Sequence, residues 1–177
     1  MYLMDSAELR SRPLVILFGS YRGRGTTKLA EITALLRSRR INAYTVEEHR
    51  KLIPHKTELD NSLECVDECD IAVFVFFRGD TIGVEDHLEG LDQGPVIEFA
   101  YLCLCKKRET AVQLVFDTKE RFRYSSSLLH KLLEKSPYVT WPGYPDIEGD
   151  SPKTRLESIT AEVLAFCVNE YKERGTW

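Results

Sequence analysis

The sequence predicts an α/β fold: a doubly wound domain of about five mainly parallel strands with helices on both faces. Three observations predict it. The runs "LVILF" and "IAVFVFF" are apolar at successive positions, as strands covered on both faces are. Strand-like and helix-like segments alternate along the chain, which implies a parallel sheet with crossover helices. At 177 residues the chain suits one domain over residues 1–177, able to bury roughly 70% of the surface its unfolded form exposes. No internal repeat or low-complexity tract divides it.

The first strand is "PLVILFG", Pro13 to Gly19. After the punctuating "SYRGRG", "TTKLAEITALLRSRR" reads as a helix. It has Leu29, Ile32, Leu35 and Leu36 at helical spacing, a Thr start and an arginine-rich finish that suits the helix dipole. "NAYTV" is a shorter strand. A polar connector through Pro54 leads to a helix near Leu59 to Cys69, with Leu59, Leu63 and Val66 as its stripe. "DIAVFVFF", Asp70 to Phe77, is the central strand. The polar segment Arg78 to Leu91 separates it from a helix over Gly94 to Cys105, and a loop of that length is usually functional or mobile. "AVQLVFD" is the next strand, "SSSLLHKLLEK" is amphipathic, and "YVTW" is a last short strand. "TRLESITAEVLAFCVNEYKER" is a long terminal helix with Leu156, Ile159, Val163, Leu164 and Cys167 inward. The expected strand order is the flavodoxin-like 2-1-3-4-5, which puts ligands at the carboxyl ends of strands one and three.

The charges exclude some partners. With 24 Lys+Arg against 28 Asp+Glu, the net charge is −4 and no basic block is present, so duplex nucleic acid is not an expected partner. The apolar run Leu14 to Phe18 is too short for a signal-peptide core or a membrane span, so a cytoplasmic protein with no membrane partner is expected. The five cysteines, Cys65, Cys69, Cys103, Cys105 and Cys167, are odd in number and lack the paired spacing of zinc sites. They read as buried free thiols, and neither a metal nor a cofactor is expected. His49, His55, His87 and His130 are scattered in polar surroundings and read as surface residues.

One residue stands out. From Val96 to Cys105 the only charged side chain is Glu98. A carboxylate in such surroundings is costly to ionise unless something pairs with it or uses it. Gly94-Pro95 makes a helix start, which puts Glu98 at the end of the first turn. The plain account is a first-turn acid favoured by the dipole and exposed at the sheet edge. The functional account is favoured because the helix reads as apolar all round. Upstream, "GSYRGRGTT" sets Gly19, Ser20, Tyr21, Arg22 and Arg24 before a helix, which suits a phosphate cradle. A glycine turn with two solvated arginines is the equal alternative, since no Gly-Lys-Ser/Thr follows.

Asp92, Gly94, Glu98 and Tyr101, as "D-x-G-x-x-x-E-x-x-Y", resemble the active-site segment of the nucleoside 2-deoxyribosyltransferase family, and "GSY" resembles that family's opening loop. The resemblance covers roughly Pro13 to Asp117. It implies that Glu98 is a carboxylate nucleophile at the anomeric carbon of a nucleoside or nucleotide, with the base as leaving group. Asp92 and Asp80 are then candidate proton donors or base readers, Tyr101 a residue that holds the Glu98 carboxylate, and Gly94 part of the substrate segment. Pro95 and Ala100 depart from the family's small and glycine residues, and the asparagine-bearing C-terminal segment of true transferases is absent. Cleavage of the N-glycosidic bond is therefore better supported than base transfer.

Two further resemblances give alternatives. TIR-like nucleotide-binding domains carry a glutamate in a similar helix start, and some hydrolyse NAD; a non-catalytic nucleotide sensor needs the same pocket. "GSYRGRGTTKLA" is similar to the phosphate loop of flavodoxin-like FMN reductases, although the second segment of that family is missing at "FFRGDTIGV". An apolar helix around Glu98 also exceeds what one sheet face covers, so a homo-oligomer with an interface near Tyr101 to Cys105 is expected.

Overall fold

The computed structural model describes residues 11–19, 25–51, 57–76, 93–105, 110–116, 131–132, 139–140 and 152–176. Its elements are β1 (Leu14–Gly19), α1 (Gly25–Ser38), β2 (Asn42–Thr45), α2 (Val46–Arg50), α3 (Glu58–Glu68), β3 (Ile71–Phe76), α4 (Gln93–Cys105), β4 (Ala111–Phe116), β5 (Val139–Thr140) and α5 (Pro152–Glu173). The strands form one sheet in the order β2-β1-β3-β4-β5. Every pairing is parallel, and β1 meets β3 from Val15↔Ile71 to Gly19↔Val75. This is the doubly wound order that the alternation of elements predicts.

The continuous apolar runs have a direct cause. Side chains alternate across a strand, and both faces of this sheet are covered. Ile16, Phe18, Ala72, Phe74, Val112 and Leu114 pack under α2, α3 and α4 through Val46, Cys65, Val66, Val96, Phe99 and Leu102. Val15, Leu17, Ile71, Val73 and Val75 pack under α1 and α5 through Leu29, Ile32, Ile159, Val163 and Tyr171. A polar residue at any of these strand positions faces helix rather than water.

The amino edge of the sheet is tied to the end of α5. Tyr171 is fully buried; its hydroxyl donates to the Pro13 carbonyl at 2.6 Å and accepts from the Asn42 backbone N–H at 2.8 Å. Beside it the Asp70 carboxylate accepts from the Leu14 backbone N–H at 2.8 Å, and the Arg174 guanidinium donates to the Asp70 carbonyl at 3.1 Å. These bonds satisfy backbone groups that the starts of three strands leave open.

The carboxyl edge is set by Gly19. A Cβ there would stand 2.8 Å from the Val75 carbonyl oxygen and 3.1 Å from a methyl of Leu29. Only glycine lets β1 run this close to β3 while α1 packs above it.

Three expectations change. The polar connector after β2 begins instead with the helix α2, because Thr45 and Glu48 form a capping box: the Thr45 hydroxyl accepts from the Glu48 N–H while the Glu48 carboxylate accepts from the Thr45 N–H. The inward face of α3 carries Ser62, Cys65, Val66 and Cys69, whereas Leu59 is 49% exposed; the two cysteines supply apolar bulk that a leucine-led reading discounts. Cys65, Cys69 and Cys167 are buried free thiols as expected, but Cys105 is exposed. Burial pushes Cys65 and Cys167 up to about 12, which keeps both protonated and unreactive. Of the amphipathic segment after Arg123, only residues 131–132 are described. Among the described residues no helix is long and apolar enough to cross a membrane.

Candidate functional site

The position of Glu98 follows from how α4 is anchored. Phe99 points at the sheet and meets Phe74 edge-on with ring centroids 5.3 Å apart, and Phe74 stacks on Phe18 at 4.7 Å. One residue earlier in a helix is a rotation of about 100°, so Glu98 faces the neighbouring helix α3 rather than the sheet. There the Ser62 hydroxyl donates to Glu98 Oε1. The other oxygen, Oε2, is out of solvent and has no hydrogen-bond partner among the described residues.

Glu98 is 5% exposed, so the account of it as a solvated first-turn acid does not hold. Helix α4 begins at Gln93, which moves Glu98 from the first turn into the second, further from the helix N-terminus than Pro95 at a first position would place it. Burial pushes its carboxyl up to about 7, and the positive charge of Arg50 on α2 pulls partly the other way. The resulting group exchanges a proton near neutral pH, which is the working range of an acid, a base or a switchable nucleophile. Cys65 on α3 is the thiol nearest in effect: burial raises it first, and the charges of Glu68 and Glu98 add to that.

Tyr101 does not hold Glu98. Its hydroxyl donates to Asp67 Oδ2 at 3.0 Å, on an exposed side of the α3–α4 contact. The hydrogen bond to the Glu98 carboxylate comes from Ser62 instead. Helix α4 is apolar on its exposed side too, but it is not buried all round: Ile97 is 46% and Leu104 74% exposed. Gly94 lies in the first turn of α4. Gly19 stands at the carboxyl end of β1, but its open Cβ position points to Leu29 on the other side of the sheet from α4. The missing side chain permits that packing, and only backbone groups of Gly19 are left to meet a ligand. Ser20, Tyr21, Arg22, Arg24, Asp80 and Asp92 lie outside the described residues.

Ser62 and Arg50 are the site residues that the linear reading passes over. A signal for Ser62 exists: Ser62, Cys65, Val66 and Cys69 recur at helical spacing. Arg50 is brought to the site by α2, whose capping box is legible as "TVEE". His49, read as a surface residue, is mostly buried instead: its side chain is 14% exposed, 2.7 Å from Glu68 and tilted against Tyr44.

No protein-family model matches the chain, and no curated protein matches it. Among solved structures it is similar to the 2-deoxyribosyltransferase of Bacillus psychrosaccharolyticus at 14% identity and a TM-score of 0.47, covering 80% of this chain and 95% of that one. It is similar to FerB, a flavoenzyme NAD(P)H:(acceptor) oxidoreductase from Paracoccus denitrificans, at 11% identity and a TM-score of 0.49, covering 89% of this chain and 98% of that one. An oxidoreductase from Corynebacterium diphtheriae is similar at 12% identity and a TM-score of 0.44, with 89% and 97% covered. These neighbours differ from one another in activity, and likenesses of this degree carry no choice between a glycosyl-transfer and a flavin chemistry.

Proposed function

We propose that this chain, as one domain over residues 1–177, cleaves or exchanges the N-glycosidic bond of a nucleoside or nucleotide with Glu98 as nucleophile. The observation that carries the reading is a carboxylate 95% removed from solvent, held through one oxygen by Ser62, with its second oxygen unengaged among the described residues and its proton exchanging near neutral pH. In the ionised form Oε2 attacks the anomeric carbon. A carbon–oxygen bond forms as the carbon–nitrogen bond breaks, and the electron pair leaves with the base, which takes up a proton from Asp92 or Asp80. Water then attacks the same carbon and gives up a proton, and the Glu98 carboxylate is released. Oε2 is enclosed in the free protein, so entry of substrate requires a local rearrangement around α4.

Arg22 and Arg24, with Gly19, Ser20 and Tyr21, are proposed to receive a phosphate. Two cations in a glycine loop before a helix suit a dianion better than a neutral 5′-hydroxyl. A nucleoside 5′-monophosphate is therefore expected to bind at least about tenfold more tightly than its nucleoside, and Arg22→Ala or Arg24→Ala to remove most of that difference. Calorimetric titration of both ligands checks this; equal affinities untouched by either substitution would leave the loop a turn.

The exposed Ile97 and Leu104 motivate a homo-oligomer that covers this side of α4. Light scattering at micromolar concentration is expected to give at least twice the mass of the 20.4 kDa chain; a monomer would refute it.

The enclosure of Glu98 favours one other reading, in which the Ser62–Glu98 bond is only a tie between α3 and α4. Incubating the protein with nucleosides, their 5′-monophosphates and NAD, and measuring free base by chromatography, decides between the two. Base release from at least one class supports the nucleophile; no release from any of them leaves the tie.

A further inference from the structure

We propose that Ser62 is the positioning residue of Glu98: by donating to Oε1 it fixes the plane of the carboxyl group and selects Oε2 as the oxygen that reacts. The inference rests on Glu98 being the nucleophile and goes beyond it to say what orients the attack. The terminal torsion of a glutamate is broad and roughly two-fold, so a carboxylate with no bond to either oxygen presents them indifferently. A serine or threonine inside a helix ordinarily turns its hydroxyl back to its own backbone, as Thr33 does to the Leu29 carbonyl at 3.1 Å. Ser62, 5% exposed and inside α3, gives its proton to a side chain of the next helix instead.

The other groups around the carboxylate do not perform this task. From α2, Arg50 acts on it as a charge. From α3, Cys65 is a protonated thiol under the added influence of Glu68, and Asp67 is engaged with Tyr101. The faces of β1 and β3 beneath α4 are apolar, with Phe18, Phe74 and Phe76 among their side chains. Ser62 is thus the donor that the described residues place on Glu98. Because a hydrogen bond to the charged form favours that form, its removal also raises the pH at which Glu98 ionises.

The test uses the full chain with Ser62→Ala, and Ser62→Cys as a size-matched weak donor. One readout is independent of turnover: the infrared carbonyl band of the protonated Glu98 acid, identified by its absence from Glu98→Gln and followed against pH. The other is base release from 2′-deoxynucleoside 5′-monophosphates and NAD. Ser62→Ala is expected to hold the acid band to higher pH and to move the rising limb of the kcat profile with it. It should lower kcat on the order of tenfold to a hundredfold while KM stays within about twofold, and Ser62→Cys should lie between. A band and a kcat both unchanged would overturn the contact. A shifted band with kcat unchanged would overturn the positioning role alone, leaving Glu98 as nucleophile. A shifted band in a protein that releases base from neither probe would overturn the nucleophile, and the positioning role with it.

Discussion

Glu98→Gln is expected to stabilise the folded protein above neutral pH by up to about 3 kcal/mol while lowering base release at least roughly a thousandfold. The stability gain follows from linkage. Burial raises the folded-state value from an ordinary 4.5 to about 7, so the folded state binds the Glu98 proton more tightly than the unfolded chain does. The contribution of the group is fully present below the unfolded value, declines as pH rises from about 4.5 to about 7, and is gone above that. Gln resembles the neutral acid in shape and does not titrate, and it can still accept from Ser62. Its amide nitrogen, like the acid hydroxyl, meets no partner among the described residues at the Oε2 position, so the two forms are matched at low pH. Urea unfolding of wild type and variant at pH 4, 6 and 8 checks this: the curves should coincide at pH 4 and separate by pH 8. Taking the difference also cancels the other shifted carboxyls, Glu162 and Glu170 raised and Glu48 lowered. A variant destabilised at every pH would mean that the amide does not match the neutral acid at this position. A variant as active as wild type would remove it from the chemistry.

Tyr171→Phe is expected to cost about 2–4 kcal/mol, an effect of similar size from a single oxygen atom at the opposite edge of the sheet. The hydroxyl serves two buried backbone groups at once, accepting from Asn42 N–H and donating to the Pro13 carbonyl. Phe fills the same volume but leaves a donor and an acceptor without partners, at about 1–3 kcal/mol each. Burial pushes the Tyr171 hydroxyl up to about 12, so the bond pair persists over the accessible range and the loss should be the same at pH 6 and pH 8. Denaturant midpoints for the two proteins at both pH values measure it. A loss under about 0.5 kcal/mol would mean that water takes the place of the hydroxyl.

The sequence by itself determined the sheet. Runs such as "LVILFG" and "IAVFVF" are so uniformly apolar that only strands covered on both faces accommodate them, and the alternation with helices dictates parallel order. It also singled out Glu98, because a lone charge among apolar residues is anomalous wherever the chain goes. What tertiary structure decided was the company Glu98 keeps. Hydropathy along a helix does not say which neighbour a given face meets, and Ser62 reaches Glu98 only because Phe99, seated on Phe74, turns its predecessor toward α3. Arg50 lies far away in sequence and arrives through a five-residue helix too short for periodicity to reveal. That α4 carries more apolar surface than the sheet covers was legible, but that Ile97 and Leu104 are the residues left exposed was not, because an apolar residue looks the same in sequence whether a neighbour covers it or leaves it to solvent. Composition therefore marked Glu98, and packing alone supplied the Ser62 hydroxyl and the Arg50 charge beside it.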